Sequence, residues 1–137
     1  ALKSIDLLER YDFIYVHLKG PDEAGHDGEV LAKKKIIEDI DKRFFKIFIE
    51  NNKFNDTRII VASDHATPCI SEAHTSDPVP LLISGKNISA DNTKTFSERT
   101  VVKGKLGKLY GSEVINLAIN LYRFLYNYYR FPIKFFL

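Results

Sequence analysis

Three of the chain's four histidines lie beside carboxylates in two short stretches and the segment that follows them. Gly20-Pro21-Asp22-Glu23-Ala24-Gly25-His26-Asp27-Gly28 supplies Asp22 and His26. Ser63-Asp64-His65-Ala66-Thr67-Pro68 supplies Asp64 and His65, and His74 follows shortly after. Neutral imidazole and ionised carboxylate are the donors that a borderline divalent cation such as zinc or manganese takes. Two such ions about 3.5–4 Å apart can clamp the attacking and leaving oxygens of a displacement at phosphorus. They also favour ionisation of a bound hydroxyl, which makes it a nucleophile at neutral pH. The chemistry in prospect is therefore a two-metal centre acting on phosphate.

Each signal is weak alone. A single His near a strand end is more often an ordinary hydrogen-bonded residue than a ligand, and Asp-His or Asp-x-x-x-His pairs arise by chance. The weight lies in the joint event, three histidines and two aspartates brought to one place by the elements around them. His17 sits within its own apolar segment and reads as structural, or as a residue that orients a ligand.

Those elements are legible as a coarse pattern. Residues 12–18, 58–63 and 79–83 are nearly continuous in apolar and β-favouring types, as expected of strands buried on both faces in a parallel sheet. Both motifs then fall at carboxyl ends of strands, the edge at which open α/β sheets bind ligands. Gly20, Pro21, Gly25 and Gly28 argue that Asp22 and His26 lie on a loop. Between the first two strands, Val30, Ile37, Ile40, Phe44, Ile47 and Phe48 recur at helical spacing. Asp27 is placed to cap that helix, Glu29 to sit in its first turn and Asn51-Asn52 to stop it. Thr95-Phe96-Ser97-Glu98 has capping-box spacing, Gly104 to Gly107 reads as a turn or short hairpin, and Ser112 is placed to cap a last helix.

The bulk numbers narrow the classes. With 137 residues, the chain is one domain or a piece of a larger one. A net charge of +2 argues against a dedicated nucleic-acid surface. The single Cys69 excludes an intrachain disulfide and fits a reducing compartment, the cytoplasm. The first residues are too polar for a signal peptide. The absence of Met anywhere fits a residue 1 that is not the start of the gene product, although chance or removal of the first residue explains it equally. Phe and Tyr crowd residues 122–136, with Arg123, Arg130 and Lys134 among them. The basic residues interrupt this run well short of the ~20 apolar positions needed to span a bilayer. A packed terminal helix is therefore expected, in preference to an interfacial membrane helix.

At these residues the chain resembles the archaeal-type phosphoglycerate mutases that need no 2,3-bisphosphoglycerate, within the alkaline phosphatase superfamily. The matching stretches are Val16 to Gly28, Ser63 to Cys69, His74 to Pro80, Phe96-Ser97-Glu98 and Gly104-Lys105-Leu106-Gly107. They are ordered as in the carboxyl-terminal part of those enzymes. The resemblance implies an alkaline-phosphatase-like α/β fold, a mostly parallel sheet flanked by helices, present here in part. It implies that Asp22, His26 and His74 bind one metal, and that Asp64 and His65 are two ligands of a second. Manganese is the implied metal, with zinc or cobalt as alternatives, and phosphoglycerate the implied substrate. Lys19 is a weak candidate for substrate contact.

The family's serine nucleophile and a further aspartate ligand lie near the amino terminus, ahead of an inserted substrate-binding domain, and residues 1–11 do not resemble that region. Residues 1–137 are thus expected to be a single carboxyl-terminal part of the metal-binding domain. No catalytic nucleophile is expected in them, and the chain alone is expected to be inactive. Pairing with an amino-terminal portion or self-association is expected, and no membrane or nucleic-acid partner. The alternatives are a metal-dependent phosphate or phosphonate ester hydrolase of the same superfamily, or a non-catalytic binding or assembly module.

Overall fold

The computed structural model describes residues 1–51 and 56–123. The elements are α1 (Leu2–Leu8), α2 (Gly20–His26), α3 (Val30–Ile40), α4 (Lys46–Asn51), β1 (Arg58–Ala62), β2 (Leu81–Gly85), α5 (Glu98–Val101) and α6 (Gly111–Arg123). A π-helical turn, Asp41–Phe45, joins α3 to α4, so the expected long helix runs unbroken from Val30 to Asn51. Its start differs from expectation. Asp27 is the C-cap of α2, Gly28 turns the chain at φ +71, and Glu29 takes the N-cap position of α3. The inner face is also rotated. Ile36, Ile40, Phe44 and Ile47 are half-buried and Phe48 is buried, whereas Val30 and Ile37 are exposed. Spacings of four, four, three and one still make a single stripe, now drawn through Ile36. This stripe faces its neighbours as α1 packs on α4 and α2 on α3.

The sheet corrects the parallel expectation. β1 and β2 pair antiparallel, with Ile60 opposite Ile83 and Val61 opposite Leu82. A parallel pair needs a long crossover, usually a helix. Residues 63–80 hold turns and one antiparallel bridge, Ala66 to Thr75, so the chain doubles back. β2 begins two residues later than expected, after buried Pro80, which has no amide to donate to a ladder. Residues 12–18 are not in a ladder among the described residues, and Phe13, Tyr15, Val16 and Leu18 are exposed.

Gly85 pairs with Arg58 at the end of the ladder away from the 63–80 connection. Its φ is +113, and a β-carbon there would collide with the Thr57 carbonyl oxygen and lie 3.0 Å from Arg58 Cα. Neither backbone atom can move without breaking the ladder. Gly85→Ala is expected to destabilise the chain by about 1–3 kcal/mol. A urea midpoint equal to that of the parent chain would contradict this.

Beyond the sheet, Arg58 ties β1 to the loop after β2 and to α6. Its Nε donates to the Lys86 carbonyl at 2.8 Å and its guanidinium to the Ala118 carbonyl at 3.0 Å. Helix α5 starts at Glu98 behind Ser97, so the Thr95 capping box does not form, and the Thr100 hydroxyl bonds to the Thr95 carbonyl instead. Residues 102–107 form turns without a hairpin. Helix α6 begins at Gly111, one residue ahead of Ser112, and the Glu113 carboxylate accepts the Tyr110 amide at 2.6 Å. The aromatic segment beyond Arg123 lies outside the described residues. No described helix is long and apolar enough to cross a membrane.

Candidate metal centre

Asp22 and His26 lie on a helix, not on the expected loop. Pro21 falls in the first turn of α2, where a missing amide costs nothing. Asp22 and Glu23 in that turn face the positive end of the helix dipole. The spacing of four then puts Asp22 and His26 on one face, with His26 Nε2 3.5 Å from Asp22 Oδ1.

The second cluster comes from the carboxyl end of β1. Asp64 and His65 follow the strand after Ser63, and the Ala66–Thr75 bridge closes the loop that carries residues 67–74. That closure lays the His74 ring on His65, with centroids 3.6 Å apart, and brings His74 Nε2 to 3.4 Å from Asp22 Oδ1. Helix α2 can approach this loop because Gly25 is buried and has no side chain. A β-carbon on Gly25 would stand 2.5 Å from the Thr67 carbonyl oxygen. The Lys33 ammonium, from α3, donates to that same carbonyl.

Asp22, His26 and His74 thus bring three donor atoms within 4.8 Å of one another. The remaining edge of the triangle, His26 Nε2 to His74 Nε2, is 3.0 Å. A four-coordinate ion bonded to nitrogen at 2.0–2.1 Å separates its ligand atoms by about 3.3 Å. The three edges of 3.0, 3.4 and 3.5 Å bracket that spacing. The tautomer of His26 fits as well. Its Nδ1–H donates to the Glu72 carbonyl at 2.9 Å, which leaves the Nε2 lone pair facing Asp22 and His74. A lone pair aimed at a carboxylate oxygen is repulsive unless a cation or a proton lies between them. The residues present therefore fit a divalent cation.

The Asp22 carboxyl is held below the usual carboxylate range. The Thr67 hydroxyl bond contributes most, the three imidazoles add to it, and burial opposes them. The group thus stays ionised, the form a metal requires.

Asp64 and His65 form a smaller group. His65 Nε2 lies 3.4 Å from Asp64 Oδ2, and Asp64 is largely exposed. Among the described residues, Asp22, His26 and His74 are the one set of three carboxylate, imidazole or thiol donors gathered this closely. Lys19 occupies the N-cap position of α2 and is exposed. His17 is exposed and its ring neighbours Tyr15 at 6.2 Å, while the Glu72 carbonyl does the orienting of His26.

Sequence reasoning missed Thr67, Lys33 and the Glu72 carbonyl. Thr67 is a buried polar residue at 5 % exposure, two positions after His65, and that short spacing was the available signal. A backbone carbonyl carries no residue-type signal, and Lys33 reads as one more solvated lysine on α3.

Residues 1–121 match the family model of the Metalloenzyme superfamily. A protein of Pyrococcus abyssi named 2,3-bisphosphoglycerate-independent phosphoglycerate mutase is 40 % identical over 121 residues, covering 88 % of this chain and 29 % of its own length. A protein of Aeropyrum pernix with the same name is 44 % identical over 113 residues, covering 81 % and 26 %. The solved structure of the PH0037 protein from Pyrococcus horikoshii superposes with a TM-score of 0.86 at 35 % identity, covering 94 % of this chain and 39 % of that one. The chain therefore spans under a third of the length of these curated relatives.

Proposed function

The chain belongs to the Metalloenzyme superfamily, and from that premise we propose that it is the metal-binding part of a phosphoglycerate mutase, interconverting 3-phosphoglycerate and 2-phosphoglycerate through a phosphoserine. The observation that carries this reading is the Asp22–His26–His74 triangle, whose edges and tautomer suit one divalent cation. The shared name of relatives at 40 % and 44 % identity supports the mutase among phosphate-handling activities.

In this reading Asp22, His26 and His74 hold one ion. Asp64 and His65 supply part of the shell of a second, completed by donors from the rest of a longer chain. Manganese is the favoured metal, with zinc or cobalt able to take the same donors. When bound, the pair of ions neutralises phosphoryl charge and lowers the barrier to displacement at phosphorus. The protein's own contribution here is orientation. The Glu72 carbonyl fixes the His26 ring, and the ionised Asp22 aims Oδ1 at both imidazoles.

The serine nucleophile and the substrate domain belong to the remaining part of the protein, in keeping with the 29 % coverage of the Pyrococcus abyssi relative. Further strands of an alkaline-phosphatase-like fold would come from there too, and the exposed Phe13, Tyr15, Val16 and Leu18 are apolar surface suited to packing against them. The single Cys69 supports a reducing, cytoplasmic setting.

Two assays test the reading. The intact gene product, loaded with manganese, is expected to turn over 3-phosphoglycerate much faster than a generic phosphate ester. The reverse preference would make it a hydrolase, and inertness towards both would favour a binding module. The 137-residue chain alone is expected to bind one manganese ion tightly and to show negligible mutase activity. Robust turnover by that chain would refute the assignment of the nucleophile to another segment.

A further inference from the structure

We propose that the Thr67 hydroxyl is a positioning group that couples the two donor clusters, setting Asp22 on one side and His65 on the other. This rests on the metal reading above and names the part of the chain that builds the site. Thr67 is buried, and its hydroxyl donates to Asp22 Oδ1 at 2.7 Å. A hydroxyl has one proton, and an ionised carboxylate only accepts. The proton is therefore committed to Asp22. The same oxygen stands 3.0 Å from His65 Nδ1, so that contact requires Nδ1–H as the donor. A neutral His65 then carries its lone pair on Nε2, the nitrogen 3.4 Å from Asp64 Oδ2.

One oxygen thus orients a carboxylate from α2 and selects the tautomer of an imidazole after β1. Thr67 is itself held in place, since its carbonyl accepts from Lys33 and packs over Gly25. A threonine that only filled space would be matched by valine, which has the same shape and no hydroxyl. Serine keeps the hydroxyl and loses a methyl group.

The test compares the parent chain with Thr67→Val and Thr67→Ser. Affinity for Mn²⁺ alone is read by calorimetry, and the His65 tautomer by imidazole ¹⁵N shifts in the metal-free chain. T67V is expected to weaken Mn²⁺ binding at least about tenfold, as removal of an orienting partner does. It is also expected to end the Nδ1–H preference of His65. T67S is expected to stay within about threefold of the parent and keep the tautomer. Either change without the other in T67V overturns the coupling, as does T67S behaving like T67V. If T67V does not fold, T67A removes the hydroxyl without adding bulk and is judged by the same criteria. If the parent chain binds no Mn²⁺, the proposed function fails. The His65 tautomer then decides the role of Thr67 by itself, a shift supporting it and no shift overturning it.

Discussion

Asp22→Ala is expected to lower the affinity for Mn²⁺ by more than about 100-fold. Removing a partner that merely orients a ligand costs 10–100-fold, and Asp22 is the one carboxylate in the three-donor set. Its Oδ1 is the shared vertex, 3.5 Å from His26 Nε2 and 3.4 Å from His74 Nε2. Without it the two imidazoles present neutral donors only, and the charge that favours a cation there is lost. The change also removes the acceptor of the Thr67 hydroxyl proton, leaving His65 as its remaining neighbour, so a lower urea midpoint is expected as well. Asp22→Asn separates the two effects, because its amide oxygen still accepts from Thr67. Asn is expected to recover most of the stability and little of the affinity. His17→Ala serves as the control and is expected to leave binding unchanged, since that ring neighbours Tyr15. Calorimetric titration with unaltered stoichiometry and affinity in D22A would sink the assignment of this triangle as the ion site.

The candidate donors were legible in the sequence because their information is carried by residue type. Asp and His near one another can be recognised before any backbone is known, and Asp22, His26 and His74 do converge. Their backbone setting was less legible. Two glycines and a proline inside seven residues argue for a loop, yet Gly20–His26 is helical. Pro21 falls where the helix has no amide partner to lose, and Gly25 is set by close packing instead of by a turn. Strand direction failed for another reason. Continuous apolar runs mark 58–63 and 79–83 as strands, and β1 and β2 form there half-buried, but such runs carry no direction. The direction lies in the connection, where the Ala66–Thr75 bridge folds residues 63–80 back. The helix face was misread through Val30 and Ile37, since the phase is set by Gly28 and by the contact of α2 with α3. Thr67 and the Glu72 carbonyl act only once these loops meet; the short spacing of Thr67 from His65 is a local signal for the first, and nothing local announces the second.

Gly25→Ala is expected to damage both the fold and the site, although the same change in an open helix would be favourable. Alanine gains about 1 kcal/mol over glycine in a helix interior. Against this, the new methyl group would lie 2.5 Å from the Thr67 carbonyl oxygen, 3.0 Å from Lys33 Nζ and 3.1 Å from Thr67 Cγ2. Lys33 is flexible and can withdraw, but it then gives up its bond to Thr67. The carbonyl is backbone in the loop that carries the second donor cluster, and it can yield only if that loop retreats from α2. Overpacking of this kind costs about 1–3 kcal/mol, so the net change is expected to be destabilising. Retreat would also lengthen the 2.7 Å bond from Thr67 to Asp22 and the 3.0 Å approach of His74 to His26. Mn²⁺ affinity should therefore fall about tenfold or more although every proposed ligand is intact. The measurement pairs a thermal melt with a metal titration. A chain with raised melting temperature and full affinity would show that the loop and α2 are not pressed together through Gly25. A lower melting temperature with full affinity would show that the donor triangle holds its shape independently of that contact.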